Sequence, residues 1–355
     1  MKKRALDYFD EYLSKIKHSH NIQIILFYDP GYFSTDIIDA FREMNAMVIN
    51  ARICNNAYET VKKNHRKNSI MCIFEFTVET IFPKDKSNFR YIEKNHTSAA
   101  LTTLELPRYN LTQVQVTETL ERWLKDSPFE HLKIADSFFE KLEMKKNPYS
   151  LKFITGKQEV FYKLTVEDIS PIMEISGPLE IGDIRFAPAA ELYYGGNQIN
   201  GSLLCNRGAL SILPFRSINR DEKDLYENIL YAGKMLKDDS VLLTIQAGTI
   251  ISIESENSYV EKVFNDILFS HYAFTSIVEV GIGLSTTSFP LIYNWGATSN
   301  EASLGMHLGI GADPTNANNT TTKMHFDFIC PQVQIMVNDQ LFYNNIEPST
   351  APRLN

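Results

Sequence analysis

The chain has 355 residues, 44% of them hydrophobic and 22% charged, and a formal net charge of −8. This length favours two domains over one compact core, and the composition is that of a folded globular protein. The acidic balance excludes the clustered basic surface that nucleic-acid binding requires, and no apolar run reaches the length of a membrane span.

The cysteines and the N-terminus indicate the compartment. Cys54, Cys72, Cys205 and Cys330 form no Cys-x-x-Cys pair, and three of them lie in apolar runs. This usage is typical of reduced, buried thiols. The N-terminus begins MKKR but continues as an amphipathic helix without the apolar core of a signal peptide. We therefore expect a cytoplasmic protein that binds neither nucleic acid nor membrane.

The first part of the chain alternates apolar strands with helices. Residues 22–28 form a continuous apolar run, as in a strand that is covered on both faces, and 46–53 and 69–78 are predicted to be a second and a third strand of the same kind. Helical patterns separate them, and this order predicts a parallel sheet with right-handed crossovers. The loop DPGYFST after the first run carries neither of the glycine-rich nucleotide-binding patterns. We interpret residues 1–127 as an α/β scaffold or capping domain.

A change in amino-acid composition along the chain predicts the second domain. Residues 111–145 have helical spacing, and the part within 128–148 is predicted to be a helical connector. From residue 149 the chain is rich in β-branched residues, Gly and Asn, with further helices predicted at 221–237 and 258–270. The predicted class is α/β: a small parallel-sheet N-terminal domain plus a larger mixed α+β domain with much antiparallel sheet over 149–355. We expect the first domain to cover a cleft in the second domain.

One apolar stretch near the C-terminus, KMHFDFICPQVQIMVND, contains a histidine and an aspartate two residues apart. In a strand, residues i and i+2 point to the same face, about 6.5 Å apart. His325 and Asp327 can therefore aim at one metal ion. With 8 histidines and 43 acidic residues in the chain, about one such triplet is expected by chance, so the pair needs support from elsewhere.

Three other segments hold polar residues in unusual surroundings. Glu191 follows an apolar lead-in, Glu279 interrupts a β-branched strand before Gly-x-Gly, and His307 lies among three glycines. A buried carboxylate must be paired, hydrogen-bonded or metal-bound, and glycines let backbone and ligand approach closely. The alternatives are an Arg207 or Arg216 partner for Glu279, a loop acid at position 191 and an ordinary core histidine at position 307. His271 and Glu301 are interpreted as structural or as outer residues of the site.

Taken in this order, the segments resemble the aminopeptidase T (thermophilic leucyl aminopeptidase) family of metallopeptidases and the related 2,5-dihydroxypyridine dioxygenases. The resemblance extends over about residues 150–345 and lies in the joint order of five short motifs. These are Ala190-Glu191 with Ile199-Asn200-Gly201, Glu279-Val-Gly-Ile-Gly283, Glu301 before Gly305-Met-His307-Leu-Gly-Ile-Gly311, His325-Phe-Asp327, and the turn Val337-Asn338-Asp339.

The resemblance to the peptidases implies two divalent metals, such as zinc, manganese or cobalt. Their ligands would be Glu191, Glu279, His307, His325 and Asp327. Two close metals can polarise a peptide carbonyl and activate a bridging water. The implied function is a metal-dependent, aminopeptidase-like hydrolase acting on a peptide or amide, with Glu191 and Glu279 as its catalytic carboxylates.

Departures from the peptidase pattern keep two other functions open. The peptidases carry a tyrosine shortly after the glycine-flanked histidine, where this chain reads Gly311-Ala-Asp-Pro314. The second hypothesis is a mononuclear iron(II) ring-cleaving dioxygenase, in which His307, His325 and Asp327 form the facial triad. The third is a non-catalytic protein that binds a peptide or partner in the same cleft. We expect a small-molecule or peptide ligand and leave a homodimer open.

Overall fold

The computed structural model describes most of the chain. The described residues are 1–64, 66, 68–77, 99–104, 112–125, 127–143, 149–164, 172–174, 179, 181, 184–187, 191–214, 220–285, 291–293, 298–312, 322 and 324–345.

The helices are α1 (Lys2–Tyr12), α2 (Ser14–Ser19), α3 (Thr35–Glu43), α4 (Ala57–Asn64), α5 (Gln113–Trp123), α6 (Pro128–Glu143), α7 (Arg220–Met235) and α8 (Ser258–Leu268). The strands are β1 (Ile22–Tyr28), β2 (Met47–Asn50), β3 (Ile70–Phe76), β4 (Ala99–Leu104), β5 (Tyr149–Thr155), β6 (Gln158–Leu164), β7 (Ile172–Glu174), β8 (Ile184–Ala187), β9 (Glu191–Gly195), β10 (Ile199–Asn206), β11 (Ala209–Pro214), β12 (Ser240–Gln246), β13 (Thr249–Glu254), β14 (Ile277–Gly283), β15 (Gly305–Gly311), β16 (Met324–Cys330), β17 (Gln334–Val337) and β18 (Gln340–Asn344).

The chain divides into two compact units, and each unit consists of two separate segments of the chain. The first comprises Met1–Leu132 with Ile175–Ala189, and the second comprises Lys133–Glu174 with Ala190–Asn355. The second segment of the first unit contains β8, which pairs with β4. The sequence-based boundaries place β8 in the second domain, because a four-residue strand carries no signal of the sheet that it will join.

The first unit is built on a parallel five-stranded sheet in the order β2-β1-β3-β4-β8. This confirms the predicted small parallel-sheet domain. Aromatic side chains from α1, α3, α5 and β3 form much of its core. The ring of Phe9 lies 4.7 Å from Phe41, 5.3 Å from Phe74 and 5.4 Å from Trp123, measured between centroids. Helix α5 begins with a capping box between Thr112 and the side chain of its third residue.

The second unit contains two antiparallel sheets, which confirms the predicted larger domain of mixed α+β type. Seven strands run in the order β13-β12-β10-β6-β5-β17-β18, and six in the order β11-β16-β15-β14-β9-β7. A hairpin around Gly156 joins β5 to β6, and this glycine has φ +63°. Asn338 and Asp339 turn β17 into β18 with φ of 50° and 62°, the left-handed pair that tight hairpins favour.

Among the helices of the described residues, none has the length and apolar character to cross a membrane.

The aromatic core of the first unit yields a stability prediction. Phe9 is fully buried, so Phe9→Ala should lower the free energy of unfolding by about 3–5 kcal/mol through lost contacts and a residual cavity. Chemical denaturation followed by circular dichroism measures this loss. Val114→Ala is the control, because Val114 is 66% exposed in α5. Equal effects of the two substitutions would contradict the packing described here.

Candidate metal centre

The five residues that the sequence analysis selected lie on neighbouring strands of the six-stranded sheet. Strand β9 carries Glu191, β14 carries Glu279, β15 carries His307, and β16 carries His325 and Asp327. Each is at most 6% exposed. Strand alternation and the register direct all five side chains to the same face of the sheet, because residues opposite one another in neighbouring strands share a face.

Their donor atoms form two groups that share Glu279. In the first, Nε2 of His307 lies 3.0 Å from Oε2 of Glu191 and 3.2 Å from Oε1 of Glu279. In the second, Nε2 of His325 lies 3.7 Å from Oε2 of Glu279 and 3.1 Å from Oδ1 of Asp327. Within each group, all three ligand atoms lie within 4.8 Å of one another. Glu279 thus contacts both imidazoles, one with each oxygen.

A backbone contact orients the second imidazole. Nδ1 of His325 donates a hydrogen bond of 2.7 Å to the carbonyl oxygen of Ala312. Because a carbonyl oxygen can only accept, Nδ1 carries the hydrogen. When the ring is neutral, the lone pair of Nε2 therefore points into the cluster, which is the arrangement that a metal-binding histidine needs.

Glycines beneath the cluster let these side chains lie against the backbone. A Cβ atom at Gly281 would collide with the imidazole of His307. A Cβ at Gly309 would lie 2.7 Å from Oδ1 of Asp327 and 2.7 Å from Cε1 of His325. The site therefore requires glycines at these positions of β14 and β15 for steric reasons.

Burial and mutual charge set the protonation of the acids. Burial raises the pKa of Glu279, and its hydrogen bond with His307 only partly opposes that shift. Burial also raises the pKa of Glu301, and the charges of Asp327 and Glu191 bring it well above the ordinary value for a glutamate. Burial would raise the pKa of Asp327 as well, but the adjacent His325 lowers it overall.

At both imidazoles, the nearby carboxylates raise the pKa by more than burial lowers it. Burial lowers the pKa of His307, but the adjacent carboxylates of Glu191 and Glu279 raise it well above the ordinary value. Burial likewise lowers the pKa of His325, but the charge of Asp327 and the bond to it raise the pKa to about 10. Without a metal, both imidazole rings are therefore in the doubly protonated, positively charged form at neutral pH.

The donor set fits a divalent cation. Two buried carboxylate oxygens, Oε2 of Glu191 and Oδ2 of Asp327, accept no hydrogen bond. Oε2 of Glu191 approaches His307 at an ion-pair distance but without hydrogen-bond geometry. Among the described residues, the ion pairs of this cluster involve histidines and neither lysine nor arginine. Buried anionic oxygens need compensation, and a metal that accepts both carboxylate and imidazole would supply it.

The structure also brings in two residues that the sequence analysis undervalued or missed. The hydroxyl of Ser211 donates a short hydrogen bond to Oε1 of Glu301. Ser211 is fully buried on β11 and stands opposite Asp327 in the register. The charge of Asp327 helps to raise the pKa of Glu301, so Glu301 belongs to the electrostatic surroundings of the cluster. A serine inside the apolar strand ALSILP was the available signal for Ser211, whereas nothing in the sequence linked it to position 301.

Glu279 pairs with histidines, and Arg216 and the stretch 313–314 lie outside the described residues. His271 accepts a hydrogen bond from the backbone N–H of Ala273 and thereby caps a short turn. This is the structural role that the sequence analysis assigned to His271.

The fold is similar to a solved structure, that of 2,5-dihydroxypyridine dioxygenase from Pseudomonas putida KT2440. The match covers 98% of this chain and 97% of that chain, with a TM-score of 0.61 and 14% sequence identity. At this identity the likeness concerns the fold. No family model and no curated protein matches the sequence.

The glycine arrangement predicts a selective loss of metal binding. Gly309→Ala should weaken metal affinity by at least about tenfold, because the new methyl group displaces Asp327 and His325. Gly195→Ala is a matched control. Both glycines stand opposite Glu279, but a Cβ at Gly195 meets nothing within 4 Å. Calorimetric titration with zinc(II) measures both variants, and equal affinities would contradict the steric role of Gly309.

The protonated imidazoles predict a pH-dependent affinity. The pKa of His325 is about 10, above its ordinary value of 6.5, so at pH 6–8 a metal must displace its proton. Affinity should rise with pH by about tenfold per unit for each proton released. Zinc(II) titrations of metal-free protein at pH 6, 7 and 8, with proton release followed by an indicator, measure this slope. An affinity that stays constant over this range would contradict the prediction.

Proposed function

We propose that the protein is a mononuclear iron(II) dioxygenase that cleaves a hydroxylated aromatic ring. One observation carries this proposal: the buried set His307, His325 and Asp327 lies in a chain whose fold matches a ring-substrate dioxygenase over nearly its whole length. Two histidines and one carboxylate are the donor set of non-haem iron(II) oxygenases. When bound, iron(II) supplies open coordination positions for dioxygen and substrate.

The two imidazoles both face Glu279. Their Nε2 atoms approach the two oxygens of this carboxylate at 3.2 and 3.7 Å, and Asp327 contacts the second ring. The close three-ligand groups are Glu191 with Glu279 and His307, and Glu279 with His325 and Asp327, so the two histidines share one ion only if their side chains close around it. In this proposal His307, His325 and Asp327 hold the iron.

Glu191 and Glu279 then have a different task from metal binding. Glu279 is buried, and burial raises its pKa above the ordinary value for a glutamate, which favours a carboxylate that accepts and returns a proton. We assign to it the proton of the substrate hydroxyl, taken up at Oε1 or Oε2. Oε2 of Glu191 is buried and accepts no hydrogen bond, so it offers an acceptor for a second polar group of the substrate.

One observation favours a second candidate, the dinuclear hydrolase. Glu279 belongs to both groups of donors, as a carboxylate that bridges two metals would. Glu191 and His307 would complete one metal position, and His325 and Asp327 the other. Two such metals polarise a carbonyl and activate a water. The two candidates therefore differ in the number of metals and in the role of Glu279.

Metal content separates the candidates. In protein purified without a metal-binding tag, we expect one equivalent of iron by elemental analysis and oxygen uptake with 2,5-dihydroxypyridine. Glu279→Ala should keep the iron and lose turnover, whereas Asp327→Ala should lose both, because its carboxylate is a ligand. Glu254→Ala, at an exposed position of β13, is the control.

Other results would redirect the assignment. Two equivalents of zinc or manganese, with at least one lost in Glu279→Ala, would favour the hydrolase. Protein that takes up no metal would favour the non-catalytic binding protein. An Asp327→Ala variant with unchanged metal content and turnover would overturn both catalytic functions.

A further inference from the structure

Ser211 and Glu301 meet on the face of the sheet that carries the metal ligands. Ser211 is fully buried on β11 and stands opposite Asp327. Asp327 stands opposite Gly309, which in turn stands opposite Glu279. Residues opposite one another share a face, so Ser211 lies at the β11 end of a row that contains two carboxylates of the cluster. Its hydroxyl donates a short hydrogen bond to Oε1 of Glu301.

The backbone that carries Glu301 approaches the same face from the β14 side. Gly283 shares its face with Glu279, because the two are four residues apart in β14. A Cβ atom at Gly283 would collide with the carbonyl oxygen of Ser303 and would lie 2.6 Å from that of Glu301. Strands β16 and β15 separate β11 from β14 in the sheet. The side chain of Glu301 therefore crosses this face, from its own backbone beside β14 to Ser211 on β11.

Hydrogen bonds fix the backbone on either side of Glu301. The fully buried Asn300 donates from its side-chain amide to the carbonyl oxygen of Ile292 at 2.9 Å, and its side-chain oxygen accepts from the N–H of Ile292 at 3.0 Å. The N–H of Ser285 donates to the carbonyl oxygen of Ala302 at 2.8 Å. Because the backbone is held, the position of the Glu301 carboxylate depends on its side-chain rotamer, and the hydroxyl on β11 selects one rotamer.

Glu301 lies near the ligands without joining them. Burial raises the pKa of Glu301, and the charges of Asp327 and Glu191 raise it further, so this carboxyl group is in the electrostatic field of the cluster. Among the described residues, the two groups of ligand atoms within 4.8 Å of one another form without Glu301. A carboxylate in this position is a potential extra ligand wherever a metal has an open coordination position. Its Oε1 is instead bound by Ser211.

We propose that Ser211 is a positioning residue, which holds the carboxylate of Glu301 away from the metal and thereby keeps a coordination position open for substrate. This inference rests on the proposed function in one respect, that a metal occupies the cluster. It extends that function to two residues outside the ligand set. Without the hydroxyl of Ser211, the Glu301 carboxylate turns to the metal and fills the position that substrate needs.

A cobalt(II) titration tests this role, because the visible absorption of cobalt(II) depends on the number and kind of its ligands. Metal-free wild type, Ser211→Ala, Glu301→Gln and the double variant are each titrated and followed by calorimetry and absorption. Ser299→Ala is the matched control. Ser299 is 4% exposed and lies in the same segment as Glu301, but its hydroxyl makes no hydrogen bond within the described part of the chain. Thermal unfolding midpoints are measured alongside.

We expect Ser211→Ala to bind cobalt(II) about tenfold more tightly than the wild type, because Glu301 no longer has to break a hydrogen bond to join the ligands. Its absorption spectrum should change as well. Glu301→Gln should keep the wild-type spectrum, since Glu301 is not a ligand in the wild type. In the Glu301→Gln background, Ser211→Ala should change neither affinity nor spectrum. Ser299→Ala should match the wild type.

The outcomes separate this inference from the proposed function. Wild-type protein that binds neither cobalt(II) nor iron(II) would overturn both. If the wild type binds cobalt(II) and Ser211→Ala lacks either the gain in affinity or the change in spectrum, the inference alone fails. It also fails if the effect of Ser211→Ala persists in the Glu301→Gln background, which would show a general packing effect.

Glu301→Gln provides an independent test should Ser211→Ala not fold. An altered cobalt(II) spectrum in Glu301→Gln would show that Glu301 already binds the metal in the wild type, and this would overturn the inference.

Discussion

The second unit is organised around the burial of several carboxyl groups and two imidazoles on one face of a single sheet. Taking such groups out of water is costly unless each finds a partner. Here the groups partner one another: Glu279 contacts both imidazoles, and Asp327 contacts the second. The acids outnumber the bases, and a bound cation would compensate the excess. In that case, metal binding and folding of this sheet would be linked.

The backbone beneath the cluster is adapted to the same requirement. Glycine in a strand interior weakens it and packs no side chain, yet β14 and β15 carry glycines directly under the ligands. Gly281 makes room for one imidazole and Gly309 for the other histidine and the aspartate. The flanking strands β9 and β16, which carry bulkier residues, supply the rigid positions from which Glu191, His325 and Asp327 project.

The shared carboxylate decides which of the two proposed metal chemistries the site could support. If Glu279 binds metal with both oxygens, two ions can occupy the site; if it stays outside the coordination sphere, one ion remains with both histidines and Asp327. The choice depends on what else enters the site, because an anionic substrate competes with Glu279 for the same positions.

Much of this could be predicted from the sequence, because some patterns are local. The period of two places His325 and Asp327 on one face whatever the partner strands are, and the hairpin at Asn338-Asp339 follows from its turn residues. The same holds for the apolar runs of the parallel sheet. The acids of β9 and β14 could be selected as unusual, but only the resemblance joined them to the histidines.

Tertiary structure decided everything that depends on long-range pairing. The order β11-β16-β15-β14-β9-β7 brings Glu191 beside His307, and no local pattern encodes a register between distant strands. The bond from Ser211 to Glu301 spans 90 residues, and β8 returns to a sheet whose other strands end before residue 105. Such contacts form only when the strands and helices pack together and bury their apolar and polar groups in the same folded state. The sequence therefore determined which residues could form the site, and the packing of the sheet determined which of them meet.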